Sequence, residues 1–129
     1  MKTLLFISFL FMCSMVIGQS SKIIGTPYRL SKIKVAQYDF PKQMDWYEAK
    51  KACANLGNGW RLPTKNELNL MYLNKDKIGG FAGNYYWSFT EFDFYCAWLQ
   101  DFGNGNQGSG KMFNYFKTTR KNVRAVRAF

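Results

Sequence analysis

Histidine is absent from this sequence, and acidic side chains, cysteine and proline are scarce. The 129 residues contain no histidine, three cysteines, three prolines and 8 acidic residues against 18 basic ones. Without histidine, Ser-His-Asp and Cys-His nucleophile systems are excluded, as are zinc and copper sites that need an imidazole ligand. The shortage of carboxylates leaves a formal net charge of +10, which favours attraction to polyanions.

The most apolar stretch lies at the start of the chain and is too short to stay in a bilayer. Lys2 precedes an apolar run over residues 4–11, and Val16-Ile17-Gly18 offers the residues that a signal peptidase reads. We therefore expect residues 1–18 to be a signal peptide, cleaved near Gly18, of a secreted or cell-surface bacterial protein. No small residue precedes Cys13, so a lipid anchor is not expected. Cleavage removes one lysine and leaves 111 residues with a net charge of +9, enough for one domain.

Cys53 and Cys96 would remain after cleavage. An even pair of cysteines in an oxidising compartment is usually a disulfide. A helical pattern turns Cys53 inward, and Cys96 falls near the start of a predicted strand. The sequence leaves open whether the two are bonded.

Two helices are predicted in the first half of the chain. Asp45 and Glu48 predict a capping box for the first, which should end at Gly57. Its buried face is expected to carry Trp46, Ala49, Cys53 and Leu56.

The stretch NGWRLPTKNEL, residues 58–68, predicts a structural joint between those helices rather than a catalytic loop. Asn58-Gly59 turns the chain, Trp60 enters the core, and Thr64 with Glu67 forms a second capping box. The second helix is expected from about Lys65 to Lys75.

The remaining segments read mainly as strands. Residues 28–40 predict one or two edge strands, and Gly103–Asn106 predicts a hairpin turn. Further strands are predicted over residues 85–90, 95–102, 111–117 and 123–129. Two helices followed by an antiparallel sheet indicate an α+β domain over residues 28–129, after a flexible lead-in over residues 19–27.

Three arginines, Arg61, Arg124 and Arg127, lie in apolar surroundings, where an unpaired charge is costly. The possible counter-charges are Glu67, Glu91 and Asp101. Structural ion pairs are favoured over an anion site. The spacing of Glu91, Asp93 and Asp101 does not fit a calcium loop, so no metal, catalytic or cofactor site is assigned.

Aromatic residues are too numerous in the second half of the chain to be buried together. Thirteen lie between Phe81 and Phe116. Trp87 and Trp98 alternate with small residues and are expected in the core. The others that fall among polar residues predict an exposed ligand-binding surface, with two lysines to attract anionic ligands. The predicted binding residues are Phe92, Phe94, Tyr95, Phe113, Tyr115, Phe116, Lys111 and Lys117.

Four spaced motifs carry a family resemblance. DWYEAKKACANLGNGWRLPTKNELNLMY, YYWSFTE, AWLQDFGNGNQ and VRAVRAF occur in this order over about residues 44–129. They resemble the bacterial Lcl C-terminal domain family, a domain of unknown function. The resemblance implies a C-type-lectin-like fold, related to the formylglycine-generating enzymes, with RLPT before a helix and an arginine-rich closing strand.

The resemblance implies a binding role more than an activity. The late cysteine pair of formylglycine-generating enzymes is incomplete here, and the Glu-Pro-Asn and Trp-Asn-Asp motifs of calcium-dependent lectins are absent. Some members, common in Bacteroidetes, resemble scaffolds with a diversified C-terminal half, which would make Cys96 a variable position. We expect a secreted adhesion module for a cell-surface glycan or protein, without nucleic acid or a membrane span. The alternatives are a small enzyme and a structural subunit of a surface assembly.

Overall fold

The computed structural model describes residue 20 and residues 22–108 and 116–129. The predicted signal peptide, most of the predicted strand over residues 111–117 and three predicted binding residues, Lys111, Phe113 and Tyr115, lie outside the described residues. No helix within the described ranges is long and apolar enough to cross a membrane.

Short strands and two main helices make up the described part of the chain. In chain order the elements are β1 (Tyr28–Leu30), β2 (Ile33–Val35), α1 (Trp46–Asn55), α2 (Lys65–Leu73), α3 (Lys75–Ile78), β3 (Tyr85–Glu91), β4 (Ala97–Asp101), β5 (Gln107–Gly108) and β6 (Val126–Ala128). The predicted α+β class is confirmed.

The strands form two antiparallel sheets instead of the one expected. One sheet has the order β1-β2-β6 and the other β3-β4-β5. The closing strand β6 pairs with β2 near the start of the domain, so Lys34 lies opposite Arg127. The segment just before β6 contacts the other sheet, where Asn122 bridges Tyr86. The two sheets are thereby joined through one stretch of chain.

The joint between α1 and α2 forms as its residues predict. Gly57, Asn58 and Gly59 all have positive φ, which reverses the chain in three residues. Thr64 Oγ1 accepts from the Glu67 backbone N–H at 3.2 Å, and Glu67 Oε1 accepts from the Thr64 N–H at 2.9 Å. The Glu67 carboxylate also receives both terminal nitrogens of Arg61, at 2.7 and 3.0 Å.

The pKa of Glu67 reflects its burial and its hydrogen bonds. Burial acts to raise it, but the hydrogen bonds from Arg61 and from the Thr64 backbone outweigh burial, so the pKa of Glu67 is lowered. One ionised carboxylate therefore holds both the start of α2 and the turn that precedes it.

α1 is capped at its start and buries one face. Asp45 accepts the backbone N–H of Glu48 at 2.8 Å, which is half of the predicted capping box. Trp46, Ala49 and Cys53 are buried, as the spacing predicts. α2 stops at Leu73, two residues earlier than expected, because the Asn74 side chain donates to the Leu70 carbonyl and the chain restarts as the short α3.

The core has two parts that meet between the sheets and helices. Trp46, Trp60 and Trp87 lie in the part packed on α1, and Leu68 with Met71 lies in the part packed on α2. The expectation that Trp60 and Trp87 are buried is confirmed. Trp98, also expected in the core, is only partly buried.

A buried guanidinium group, that of Arg124, lies near β6 and binds groups from distant parts of the sequence. Arg124 is almost fully buried and donates to Asp39 Oδ1 at 2.6 Å and to the carbonyls of Ala36 and Gly79. Tyr86 also donates to the Asp39 carboxylate, and burial followed by that contact raises the pKa of Tyr86. Asp39, which the sequence did not single out, is thus the counter-charge of Arg124.

Candidate ligand-binding face

Exposed aromatic side chains gather around the connection between β3 and β4. We call this set the aromatic face; its members are Tyr47, Phe89, Phe92, Phe94, Tyr95 and Phe116. Phe94 and Tyr95 are the most open, at 77% and 68% exposure. Contiguous exposed apolar groups on a folded domain mark an interaction surface.

The turn that carries Phe94 and Tyr95 is held by its own hydrogen bonds. Asp93 Oδ1 accepts the backbone N–H groups of Tyr95 and Cys96, both at 2.8 Å. The Cys96 carbonyl in turn accepts the N–H groups of Phe92 and Asp93. The rings of Phe94 and Tyr95 meet edge to face, with centroids 5.2 Å apart. A partner would therefore find these rings already positioned, which lowers the entropic cost of binding.

Lys117 lies beneath the face and is 3% exposed. Its ammonium donates to Glu91 Oε2 at 2.8 Å and to the Phe94 carbonyl at 2.9 Å, and it lies 4.5 Å from the centre of the Trp46 ring. The hydrogen bond from Lys117 lowers the pKa of Glu91. This position contradicts the expectation that Lys117 attracts ligands from the surface, because a charge so enclosed has to be paired within the fold. Lys117 instead anchors the Phe94 turn.

Two members of the face, Tyr47 and Phe89, were missed from the sequence. Tyr47 lies on the solvent side of α1, beside the buried Trp46. Phe89 lies within the register shift of β3 between Trp87 and Glu91, and its ring is exposed. The position of Tyr47 on the exposed side of the predicted helix could have indicated that its ring faces solvent. No feature of the sequence indicated the register shift at Phe89.

Two lysines that the sequence did not identify lie against the rings. The Lys50 ammonium is 4.2 Å from the centre of the Trp46 ring and 5.5 Å from that of Phe89. The Lys65 ammonium is 3.4 Å from the centre of the Trp98 ring, which Phe92 meets edge to face. The rim of the aromatic face is therefore cationic.

Two of the three arginines expected to form structural ion pairs do so. Arg61 pairs with Glu67 and Arg124 with Asp39. Arg127 belongs to none of the three ion pairs among the described residues, and its Nε donates to the Ala128 carbonyl. The structure does not bring the three guanidinium groups together into one anion site.

The carboxylates of the second half serve the fold. Glu91 pairs with Lys117, Asp93 holds the Phe94 turn, and Asp101 accepts the Gly103 N–H at 2.7 Å. Within the described residues, no three cysteine or acidic side chains are grouped closely enough to hold a metal ion.

Cys53 and Cys96 carry separate buried thiols rather than a shared disulfide. Cys53 lies on α1 and packs in the apolar core with Trp60 and Trp87, whereas Cys96 lies beside Asp93 just before β4. Burial raises the pKa of Cys53 to about 12. Burial and then the Asp93 carboxylate raise the pKa of Cys96. Neither pKa is shifted in the direction that activates a thiol as a nucleophile.

We expect both thiols to resist modification in the folded protein. At about pH 8 the thiolate fraction of Cys53 is about a thousandfold below that of an ordinary thiol. Reaction with Ellman's reagent should be slow in buffer and rapid in urea. Because the folded-state pKa of Cys53 lies above its ordinary value of 9.0, its contribution to stability is complete below about pH 9 and falls as the pH rises towards 12. Rapid labelling of Cys96 in the native state would contradict this and support an enzyme.

Comparisons with solved structures identify the fold. The chain is similar to botrocetin (TM-score 0.58, 15% identity), to a complex of botrocetin with a variant von Willebrand factor A1 domain (0.56, 14%) and to the snake venom toxin convulxin (0.59, 9%). Each comparison covers 81% of this chain and 98%, 98% and 96% of the respective other chain. The expected C-type-lectin-like fold is confirmed.

The sequence comparisons identify the family. No functionally curated protein matches this sequence. The Lcl C-terminal domain matches residues 23–127, which include both main helices, all strands except the last residue of β6, and all six members of the aromatic face. The chain therefore belongs to the Lcl C-terminal domain family.

Proposed function

We propose that this chain is an exported bacterial binding module that attaches to a protein on a cell surface through its aromatic face. One observation carries the proposal: Phe94 and Tyr95 are the most open rings of the face, and they stand on a hydrogen-bonded turn anchored from below by Lys117. Exposed aromatics at low conformational cost are the residues that dominate protein–protein interfaces. The cationic rim favours a partner with acidic groups around an apolar centre.

A protein partner is favoured over a glycan by the shape of the face and by one relative in fold. The rings come from α1, β3, the turn after it and the later segment at Phe116, and Phe94 meets Tyr95 edge to face rather than in one plane. Botrocetin, which shares this fold at 15% identity, is seen in a complex with the A1 domain of von Willebrand factor. Export rests on residues 1–18 of the sequence, with cleavage near Gly18.

The low reactivity expected of the Cys96 thiol also favours a binding role. The rival hypothesis of a formylglycine-generating type of enzyme requires a reactive cysteine in the second half of the chain. Cys96 is buried and its pKa is raised, and both features disfavour the accessible thiolate that such chemistry uses.

The test is binding of the fluorescently labelled protein to a panel of bacterial and animal cells. We expect the double variant Phe94→Ser/Tyr95→Ser to bind at least about tenfold more weakly than the unchanged protein, because each exposed ring at the centre of an interface contributes about 2 kcal/mol or more. Its melting temperature should change by only a few degrees, since both rings face solvent. Treating the cells with protease should abolish binding, whereas glycosidases should not.

The matched control removes exposed apolar side chains elsewhere. Tyr38 is 50% exposed and Leu73 is 68% exposed, and neither belongs to the aromatic face. The variant Tyr38→Ser/Leu73→Ser should bind as the unchanged protein does. Collapse of the fold in the Phe94→Ser/Tyr95→Ser variant would mean that the rings are structural, and equal binding by both variants would reject the face as the site. Binding that survives protease but not glycosidase would make the partner a glycan.

A further inference from the structure

Three basic side chains lie in a row on the outer face of the β1-β2-β6 sheet. Arg29 lies opposite Lys34 in the β1–β2 register, and Lys34 lies opposite Arg127 in the β2–β6 register. Residues directly opposite on neighbouring strands point to the same face. The alternate positions Leu30, Ile33, Val35 and Val126 are buried, so the three cations point away from the core.

An aromatic ring lies within this row. The Phe129 ring is 49% exposed, with the Arg29 guanidinium 4.1 Å and the Lys34 ammonium 5.4 Å from its centre. We call Arg29, Lys34, Arg127 and Phe129 the basic row. Neighbouring strands are about 4.8 Å apart, so the three cations span about 10 Å at the backbone.

No carboxylate side chain among the described residues forms an ion pair with the basic row. The three ion pairs among the described residues involve Arg61, Lys117 and Arg124 and none of the row. The stretches outside the described residues contain no aspartate or glutamate. Like charges facing each other across strands repel and destabilise a sheet. A bound polyanion would reduce the repulsion among the three cations.

We propose that the basic row binds an acidic polysaccharide. Guanidinium groups pair with sulfate or carboxylate groups in a two-pronged geometry, and three cations in a line suit a ligand whose anionic groups repeat along a chain. The half-exposed Phe129 ring offers an apolar plane for the face of a sugar. Single-stranded nucleic acid is disfavoured because it needs several exposed rings for base stacking, and a membrane is disfavoured because the row offers one apolar side chain to insert.

The experiment measures the affinity of the purified protein for heparin, with uncharged dextran as the control polymer. At about 0.15 M salt, where interactions beyond about 8 Å are screened, we expect heparin to bind and dextran not to bind. The variant Arg29→Gln/Lys34→Gln/Arg127→Gln should bind heparin about tenfold more weakly, because it loses three solvent-exposed ion pairs with the polysaccharide. Phe129→Ala should weaken binding about threefold.

A matched variant separates the row from net charge. Lys42, Lys51 and Lys77 are exposed, and their change to glutamine removes the same three charges. That variant should lose less than about threefold in heparin affinity, since only long-range attraction changes. Equal losses in the two triple variants would overturn the proposal, as would tighter binding to oligothymidylate or to phosphatidylglycerol vesicles than to heparin.

Thermal melting distinguishes a binding role of the row from a structural one. Heparin should raise the melting temperature of the unchanged protein and leave that of the row variant unmoved, while the row variant alone melts at the same or a higher temperature. A row variant that melts lower without ligand would show that the cations serve the fold, against the proposal. Because the row shares no residue with the aromatic face, Phe94→Ser/Tyr95→Ser should leave heparin binding unchanged, whatever becomes of the protein partner.

Discussion

Changing Arg124 to methionine lowers the free energy of unfolding by about 3–5 kcal/mol, the largest effect expected of any substitution of a charged residue here. The guanidinium is buried and pairs with Asp39, whose side chain is only 17% exposed. Its loss leaves that carboxylate without a counter-charge and leaves the carbonyls of Ala36 and Gly79 without the donor that now reaches them. For a domain of this size the melting temperature should fall by roughly 15–25 °C. Urea unfolding followed by tryptophan fluorescence measures the change.

Arg127 provides the matched control for Arg124. It lies three residues further along the same segment, is partly exposed and takes part in no ion pair among the described residues. Arg127→Met should change the free energy of unfolding by less than about 0.5 kcal/mol. The double variant Arg124→Met/Asp39→Asn should recover part of the loss, because no buried charge is then unpaired. A fall of under 1 kcal/mol for Arg124→Met would show that the pair is not important for stability.

Changing Trp46 to alanine should lower the free energy of unfolding by about 3–5 kcal/mol, because it removes a large buried ring. Trp46 is 2% exposed, and its indole N–H donates to the Ser88 carbonyl at 2.9 Å. The ring also lies under the ammonium groups of Lys50 and Lys117, which are in contact with the aromatic face. We therefore expect both stability and cell binding to fall, as measured by urea unfolding and by the labelled-cell assay.

Trp46→Phe separates the volume of the ring from its hydrogen bond. Phenylalanine keeps the apolar surface beneath Lys117 but cannot donate to Ser88, so the cost should be about 1–3 kcal/mol. Binding measured well below the melting temperature should then remain close to normal, because the Phe94 turn keeps its anchor. Equal losses of stability in Trp46→Ala and Trp46→Phe would mean that the hydrogen bond, and not packing, dominates.

Features set by neighbouring residues could be predicted from the sequence. The Thr64–Glu67 capping box and the Asn58-Gly59 turn depend on residues within one helical turn of each other, and each formed as expected. The exposure of Phe94 and Tyr95 followed from their place among polar residues in a connection between strands. The same local pattern identified Trp46, Ala49 and Cys53 as buried, whereas Leu56, expected with them, is only partly buried.

Features set by distant residues could not be predicted. Asp39 reaches Arg124 across most of the chain, and nothing near Asp39 marks it as the partner. In the sequence, Lys117 resembles an exposed lysine. It lies over Trp46 only because its segment pairs with the backbone at Tyr95. Phe89 lies two residues after the buried Trp87, so regular alternation along the strand predicts a buried ring. The register shift in β3 breaks this alternation.

The pairing of β2 with β6 joins two segments that lie far apart in the sequence. A ribosome releases the amino end first, yet Lys34 has to wait for Arg127 before its strand acquires a neighbour on that side. Closing so long a loop is slow, because its entropic cost precedes the contacts that reward it. The β1-β2-β6 sheet is therefore expected to be completed late in folding, after the local contacts within the helices and between β3 and β4.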